Sequence, residues 1–265
     1  MLSVLKVGGS VLRDDGSYAA TARFLKDRLA ERGDEQLVVI VSAQYGATDE
    51  LLAEAESITG APADHALDLL WSTGELRSVA RLTLHLQRLG VSAIPFNVHQ
   101  TGLVADRTSG TTVRPLRLLA ALAASRIVIV PGFLGVSAGG TITSLGRGGS
   151  DLTAVLLAIA VRANACELIK DVPGYFTADP HRDAGARPIH DLSIEDALGM
   201  ADGGCDLVQR AALASAAHAG LHLVIRSMDA AAPITHLHAS TTRKDRSKQY
   251  GVRHQDDSRR AAIRA

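Results

Sequence analysis

Cysteine and aromatic side chains are scarce in this 265-residue chain. Two cysteines, Cys166 and Cys205, are too few for a disulfide framework or a four-thiolate zinc site. Phe, Tyr and Trp make up 3% of residues, which leaves few platforms for stacking bases. No apolar run reaches the ~18 residues that a membrane span needs. The opening MLSVLKVGGS is strand-like and has no signal-peptide architecture. Net charge is absent too, with 28 basic and 28 acidic side chains. The one asymmetry lies in residues 243–264, where eight Lys/Arg against three Asp give a local +5 and leave −5 elsewhere. The body therefore has no general attraction for nucleic acid. The basic tail, residues 241–265, reads as a solvated, partly disordered end more readily than as a polyanion-binding arm. These absences lead to the expectation of a soluble, cytoplasmic protein with no membrane or nucleic-acid partner.

What the chain does have is alternation. With 46% hydrophobic and 21% charged residues, it is suited to a sizeable core. Short β-branched runs (Val4 to Val7, Leu37 to Val41, Ile127 to Val130, Glu167 to Ile169, Leu223 to Ile225) read as buried parallel strands. Between them, Ala20 to Arg32, Leu76 to Leu89, Leu116 to Ala124, Leu152 to Ala163 and Leu207 to Ala219 have helical spacing. Strand and helix in turn imply an α/β fold with an open, mostly parallel sheet sandwiched between helices. The piece from Thr101 to Val113 reads instead as a hairpin. No linker or repeat divides residues 1–240, which are expected to form one unit.

In such a sheet ligands bind beyond the carboxyl ends of the strands, and the chain places glycines and charges there four times. Lys6-Val7-Gly8-Gly9-Ser10 offers a close backbone approach to an anion and a cation beside it. Standing alone, it fits a tight turn with a surface lysine better. Ser42-Ala43-Gln44-Tyr45-Gly46-Ala47-Thr48 offers two hydroxyls to a carboxylate or phosphate, or a Thr48 that merely caps the next helix. Ser144-Leu145-Gly146-Arg147-Gly148-Gly149-Ser150-Asp151 puts three glycines, an arginine and an ionised acid at a helix start, where an anion is favoured. Arg147 can grip a carboxylate in a bidentate fork. Lys170-Asp171-Val172-Pro173-Gly174-Tyr175-Phe176-Thr177-Ala178-Asp179-Pro180 can set Lys170 toward phosphates and Phe176 against a purine, or be turn chemistry alone.

Taken in this order, KVGGS, VSAQYGATDEL, STGE (Ser72 to Glu75), SLGRGGSDLTA and KDVPGYFTADP resemble the amino-acid kinase superfamily, most closely the catalytic domain of aspartate kinases. The resemblance runs from Lys6 to about Leu237, and SLGRGGSD is its most specific part. It implies a carbamate-kinase-like fold, ATP with Mg²⁺, and phosphoryl transfer to the side-chain carboxylate of aspartate or a close analogue. Lys6 and Asp151 would be catalytic, Lys6 holding the transferred phosphoryl group with the Gly8 and Gly9 amides assisting. Ser42 and Thr48 would contact the acceptor's side-chain carboxylate. Glu75, at a helix start, would receive its α-ammonium together with Asp151, and Arg147 with Ser150 its α-carboxylate. Gly8, Gly9, Ser10, Lys170, Asp171, Phe176 and Asp179 would line the nucleotide side, and the resemblance suggests a homodimer.

The chain also departs from that pattern. Asp206, in Gly204-Cys205-Asp206, stands where the family has a lysine near the ATP phosphates, and His181 stands for an arginine. An acid there weakens nucleotide binding unless Lys170, Arg210 or Mg²⁺ compensates. Other readings are therefore a kinase of a modified amino acid, a nucleotide-binding regulator without transfer activity, and a polyanion binder working through its tail. No general base is required, because a carboxylate nucleophile is already ionised at neutral pH, and the ten scattered histidines suit solvated or core roles. After Leu237 the sequence is too poor in apolar residues for a ligand-binding ACT module, so no cooperative inhibition by lysine, threonine or methionine is expected.

Overall fold

The computed structural model describes residues 1–106, 110–146, 148–180 and 182–239. Strand β1 (Leu2–Val7) leads through helix α1 (Asp15–Glu31) to β2 (Gln36–Val41). Helix α1 starts where Asp14 accepts from the Ser17 amide at 2.8 Å and the Ser17 hydroxyl accepts from the Asp14 amide at 3.0 Å, a reciprocal cap. Helices α2 (Ala47–Ile58) and α3 (Asp64–Arg88) follow, then β3 (Ile94–Pro95), the hairpin β4 (Leu103–Asp106) and β5 (Gly110–Val113), and α4 (Leu116–Ala124). Strands β6 (Ile127–Pro131), β7 (Leu134–Val136) and β8 (Ile142–Ser144) precede α5 (Gly149–Ala160). The last third comprises β9 (Ala165–Ile169), β10 (Tyr175–Phe176), β11 (Pro188–Ile189), β12 (Asp191–Ser193), α6 (Ile194–Asp202), α7 (Arg210–Ala219), β13 (Leu223–Arg226) and β14 (Thr235–His238).

Eight strands form the main sheet in the order β12-β14-β13-β9-β1-β2-β6-β3, and every pairing except β13 with β14 is parallel. Its central strands are buried on both faces, as their near-continuous apolar runs require. Leu5, Val7, Leu37, Val39, Ile127 and Ile129 pack on one side with α1 and α3. Val4, Ile40, Val128, Val130 and Leu168 pack on the other with α4, α5, α6 and α7. A second sheet, β5-β4-β7-β8, and the pair β10-β11 flank it. Since β1 lies between β2 and β9, the chain turns to opposite sides from β1, and the crevice beyond its carboxyl end is the ligand position of this architecture.

Away from that crevice, Arg28 of α1 is buried in a charge cluster on the α1 side. It grips Glu35 with two hydrogen bonds of 2.8 Å and reaches Glu167 at 2.6 Å, while the Ser3 hydroxyl donates to Glu35 at 2.6 Å.

Helix boundaries differ from expectation in instructive ways. The sequence places a helix start at Gly74-Glu75, yet both lie deep inside α3. A glycine costs about 1 kcal/mol in a helix, but a Cβ at Gly74 would press on Ala43 and Leu51 at 3.3 Å; the glycine allows close helix packing rather than a beginning. Helix α5 starts three residues earlier than its apolar run, because Gly148 caps it in the left-handed region at φ 75°. Helix α7 starts three residues later, at Arg210.

Candidate active site

Four carboxyl-end loops and one helix start converge beyond β1. Side chains alternate along a strand, so Lys6 shares the α5 face with Val4 and meets Asp151 in the first turn of α5. The Lys6 ammonium lies 2.9 Å from Asp151 Oδ1, and the Lys170 ammonium, just past β9, lies 2.7 Å from Asp151 Oδ2. The Gln209 amide adds a donor at 3.3 Å to Oδ2. Lys6 and Asp151 are buried and Lys170 nearly so. Burial alone would raise the Asp151 carboxyl, but the two ammonium charges outweigh it and hold it at about 2. Burial, and then repulsion from Lys6, bring Lys170 down to about 8 against the pull of Asp151. The arrangement is a buried +−+ triad with one charge in excess, aimed at an anion. Both oxygens of Asp151 are already taken by the chain's own cations. It therefore spaces two lysines here.

Glu75 stands on α3 where the loops after β2 and β6 meet. Burial pushes its carboxyl up to about 8, against hydrogen bonds from the backbone of Ala43 and Gly132 and the charge of Lys6. Its Oε2 is buried without a hydrogen-bond partner among the described residues. An unsatisfied buried acid is costly, and an incoming cation would relieve it. Nearby, Ser42 is half-buried and its amide donates to the Val7 carbonyl at 3.2 Å. Thr48 does not cap α2; Gly46 does, at φ 81°. The Thr48 carbonyl instead accepts from the Trp71 indole at 3.2 Å. Ser150 is buried in the first turn of α5, and a Cβ on Gly132 would come within 2.7 Å of its hydroxyl. Arg147 lies outside the described residues, as does His181.

On the other flank, the Ser10 hydroxyl donates to Asp171 at 2.8 Å, and Asp171 pairs with Arg13 at 3.6 Å. Phe176 is half-buried on β10, and Asp179 is exposed, 3.4 Å from Arg182. The Gly8 amide is not available to a phosphate, because it donates to the Ile169 carbonyl at 3.2 Å. At Gly9 a Cβ would meet the Ala43 carbonyl at 2.9 Å, so this glycine permits close contact between the loops after β1 and β2. Asp206 is exposed, and the residue of its loop that reaches the triad is Gln209. Arg210 is paired with Asp202 at 2.6 Å.

Sequence reasoning missed Phe133, Trp71, Gln44 and Arg81. Phe133 adopts φ 67°, rare for a side chain of that size, and Trp71 packs edge-on against it at 5.5 Å. The chain's lone tryptophan, directly before Ser72-Thr73-Gly74-Glu75, was the available signal. Among the described residues no group of three His, Cys, Asp or Glu side chains is set to hold a metal, and no helix is long and apolar enough to cross a membrane. The exposed His222, just before β13, and His236, on β14, stack on each other.

The molecule is thus a doubly flanked, mostly parallel sheet with a cationic triad at its switch point. The model of the amino acid kinase family matches residues 1–227, and the chain belongs to that family. It is 37% identical over 231 residues to an aspartokinase of Thermus thermophilus, a match covering 85% of this chain and 56% of that protein. Aspartokinase 2 of Bacillus subtilis is 35% identical over the same shares. The chain thus spans about half the length of the curated relatives it matches. Among solved structures, aspartate kinase from Synechocystis superposes with a TM-score of 0.81 at 33% identity, over 92% of this chain and 41% of that one. Escherichia coli aspartokinase III in complex with aspartate and ADP superposes with a TM-score of 0.76 at 26% identity, over 92% and 66%.

Proposed function

We propose that the protein transfers the γ-phosphoryl group of ATP to the side-chain carboxylate of L-aspartate, giving an aspartyl phosphate and ADP. The observation that carries this reading is the Lys6–Asp151–Lys170 triad beside the buried, unsatisfied Glu75. A carboxylate oxygen attacks the γ-phosphorus and the bond to the β-bridging oxygen breaks, its electrons leaving with ADP. Two anions must approach, so catalysis is positioning and charge neutralisation. Lys6 stabilises the transferred group, Lys170 the phosphates it leaves, and Asp151 fixes the distance between the two ammonium groups. Glu75 receives the acceptor's α-ammonium, Ser42 and Thr48 its side-chain carboxylate, and Arg147 with Ser150 its α-carboxylate. Gly9, Ser10, Asp171, Phe176 and Asp179 line the nucleotide side.

The donor set suits a magnesium ion carried in on the phosphates. Mg²⁺ keeps several waters and needs only one or two protein carboxylates, and Asp171, exposed at the crevice mouth, is the candidate. When bound, the metal supplies charge neutralisation to the phosphate oxygens. The named activity of the relatives supports aspartate as acceptor, and the two intact lysines support transfer over a purely regulatory role. Coupled ADP release across amino acids, with the product trapped as its hydroxamate, tests the reading. Hydroxamate formation that depends on both ATP and aspartate is expected. ATP binding without turnover on any amino acid would refute it.

A further inference from the structure

Loops after β1 and β2 carry the two halves of the proposed reaction, phosphate on one and acceptor on the other, and a pair of side chains outside the triad ties them together. The Gln44 side-chain amide donates to the Arg13 carbonyl at 2.8 Å, and its oxygen accepts from the Arg81 guanidinium. Arg81 projects from α3, the helix that also carries Glu75. It is pinned there by stacking over the Tyr18 ring at 4.3 Å and by Asp15 at 3.3 Å. The Tyr45 amide donates to the Leu12 carbonyl at 3.0 Å beside this bridge, and Gly9 leaves no room for a Cβ against the Ala43 carbonyl.

We infer that Arg81 and Gln44 are positioning residues for phosphoryl transfer, which hold the acceptor loop at a fixed separation from the phosphate loop and in register with Glu75. Neither touches the reacting atoms. Their effect is on distance, and an error of about 1 Å in such a site costs on the order of a hundredfold. The inference rests on the aspartate-kinase reading for its kinetic arm only. Trp71 supplies an arm that does not: it is the sole tryptophan, and its indole donates to Thr48 in the same acceptor loop.

The test is a double-mutant cycle of Gln44→Leu and Arg81→Met in the full chain. kcat/KM for aspartate is expected to fall about tenfold to a hundredfold in each, with ATP affinity unchanged and the double variant no worse than either single one. Arg81→Lys, which keeps a donor toward Gln44, restores part of the loss. In every impaired variant Trp71 emission shifts to the red and acrylamide quenching increases. Should Gln44→Leu fail to fold, Gln44→Glu keeps the oxygen for Arg81 and removes the donor to Arg13, and must show the same optical change. Additive kinetic losses, or Trp71 signals unchanged in folded variants, overturn the inference. Absence of aspartate turnover in the unmodified protein refutes the functional reading alone, since Trp71 still decides the positioning.

Discussion

Glu75 holds its proton to about 8, whereas an ordinary glutamate releases it near 4.5. Between those values the unfolded chain has given up a proton that the folded chain keeps, so this group makes stability fall as pH rises through the window. Glu75→Gln removes that slope, and thermal unfolding of the two proteins from pH 5 to pH 8 shows it as converging melting curves at the acid end. An ammonium docking on Glu75 favours the ionised form. Aspartate binding at pH 7 therefore expels a proton, which calorimetry in buffers of different ionisation enthalpy measures directly, and Glu75→Gln abolishes the release. Lys170 has the opposite sense. Its charge is lost above about 8 rather than above 10.5, so ATP affinity weakens as pH rises through that value. Over the same window the group makes stability rise, because the unfolded chain then holds the extra proton. In Lys170→Arg the cation persists, and the ATP affinity profile flattens between pH 7 and 9.5.

At the scale of elements, the first turn of α5 is set by what packs under it. Gly132 follows β6, donates to the Val41 carbonyl at 2.9 Å and lies beneath Ser150, where a Cβ would come within 2.8 Å of the Ser150 Cβ. Gly132→Ala is expected to lower stability by about 1–3 kcal/mol through overpacking. Because the turn it lifts carries Asp151, turnover falls further than stability does; urea unfolding and initial rates measured at one temperature separate the two. Strands were the most legible elements, since a strand buried on both faces must be apolar throughout. The hairpin of β4 and β5 was legible from its turn residues, and α4 from its periodicity. Helix starts were not, because Gly74 and Gly148 have conformational and packing roles that only the folded neighbours reveal. In the site, Lys6 stood out as a charge within an apolar strand, Lys170 as a charge after one, and Asp151 as an acid ahead of an apolar helix. That Lys6 meets Asp151, and that Ile169 takes the Gly8 amide, depends on contacts between residues more than a hundred positions apart, while Lys170 reaches Asp151 across 19.

The whole molecule divides its ionic chemistry between two sites on the same strands. Arg28, Glu35 and Glu167 form a cluster on the α1 face, where Arg28 is raised by its two carboxylates against the cost of burial. Removing one partner of such a cluster strands the others without compensation. Arg28→Leu is expected to destabilise the fold by about 3–5 kcal/mol while leaving the aspartate KM unchanged at temperatures where the protein is folded. A denaturant midpoint shift with an altered KM would count against that separation.

Strand β1 carries Ser3 in the structural cluster and Lys6 in the triad; β9 carries Glu167, and Lys170 follows its end. Three residues of extended chain span roughly 10 Å, and the two clusters face opposite sides of the sheet. A lineage under pressure for heat resistance can therefore rework the Arg28, Glu35 and Glu167 cluster itself, which lies apart from the triad, but not the Tyr18 and Asp15 positions of α1 that pin Arg81. One under pressure for a new acceptor has less freedom, because the loop after β6 opens on Gly132, which packs directly under Ser150. The ion cluster and the triad are separate dials, set a few residues apart on the same strand.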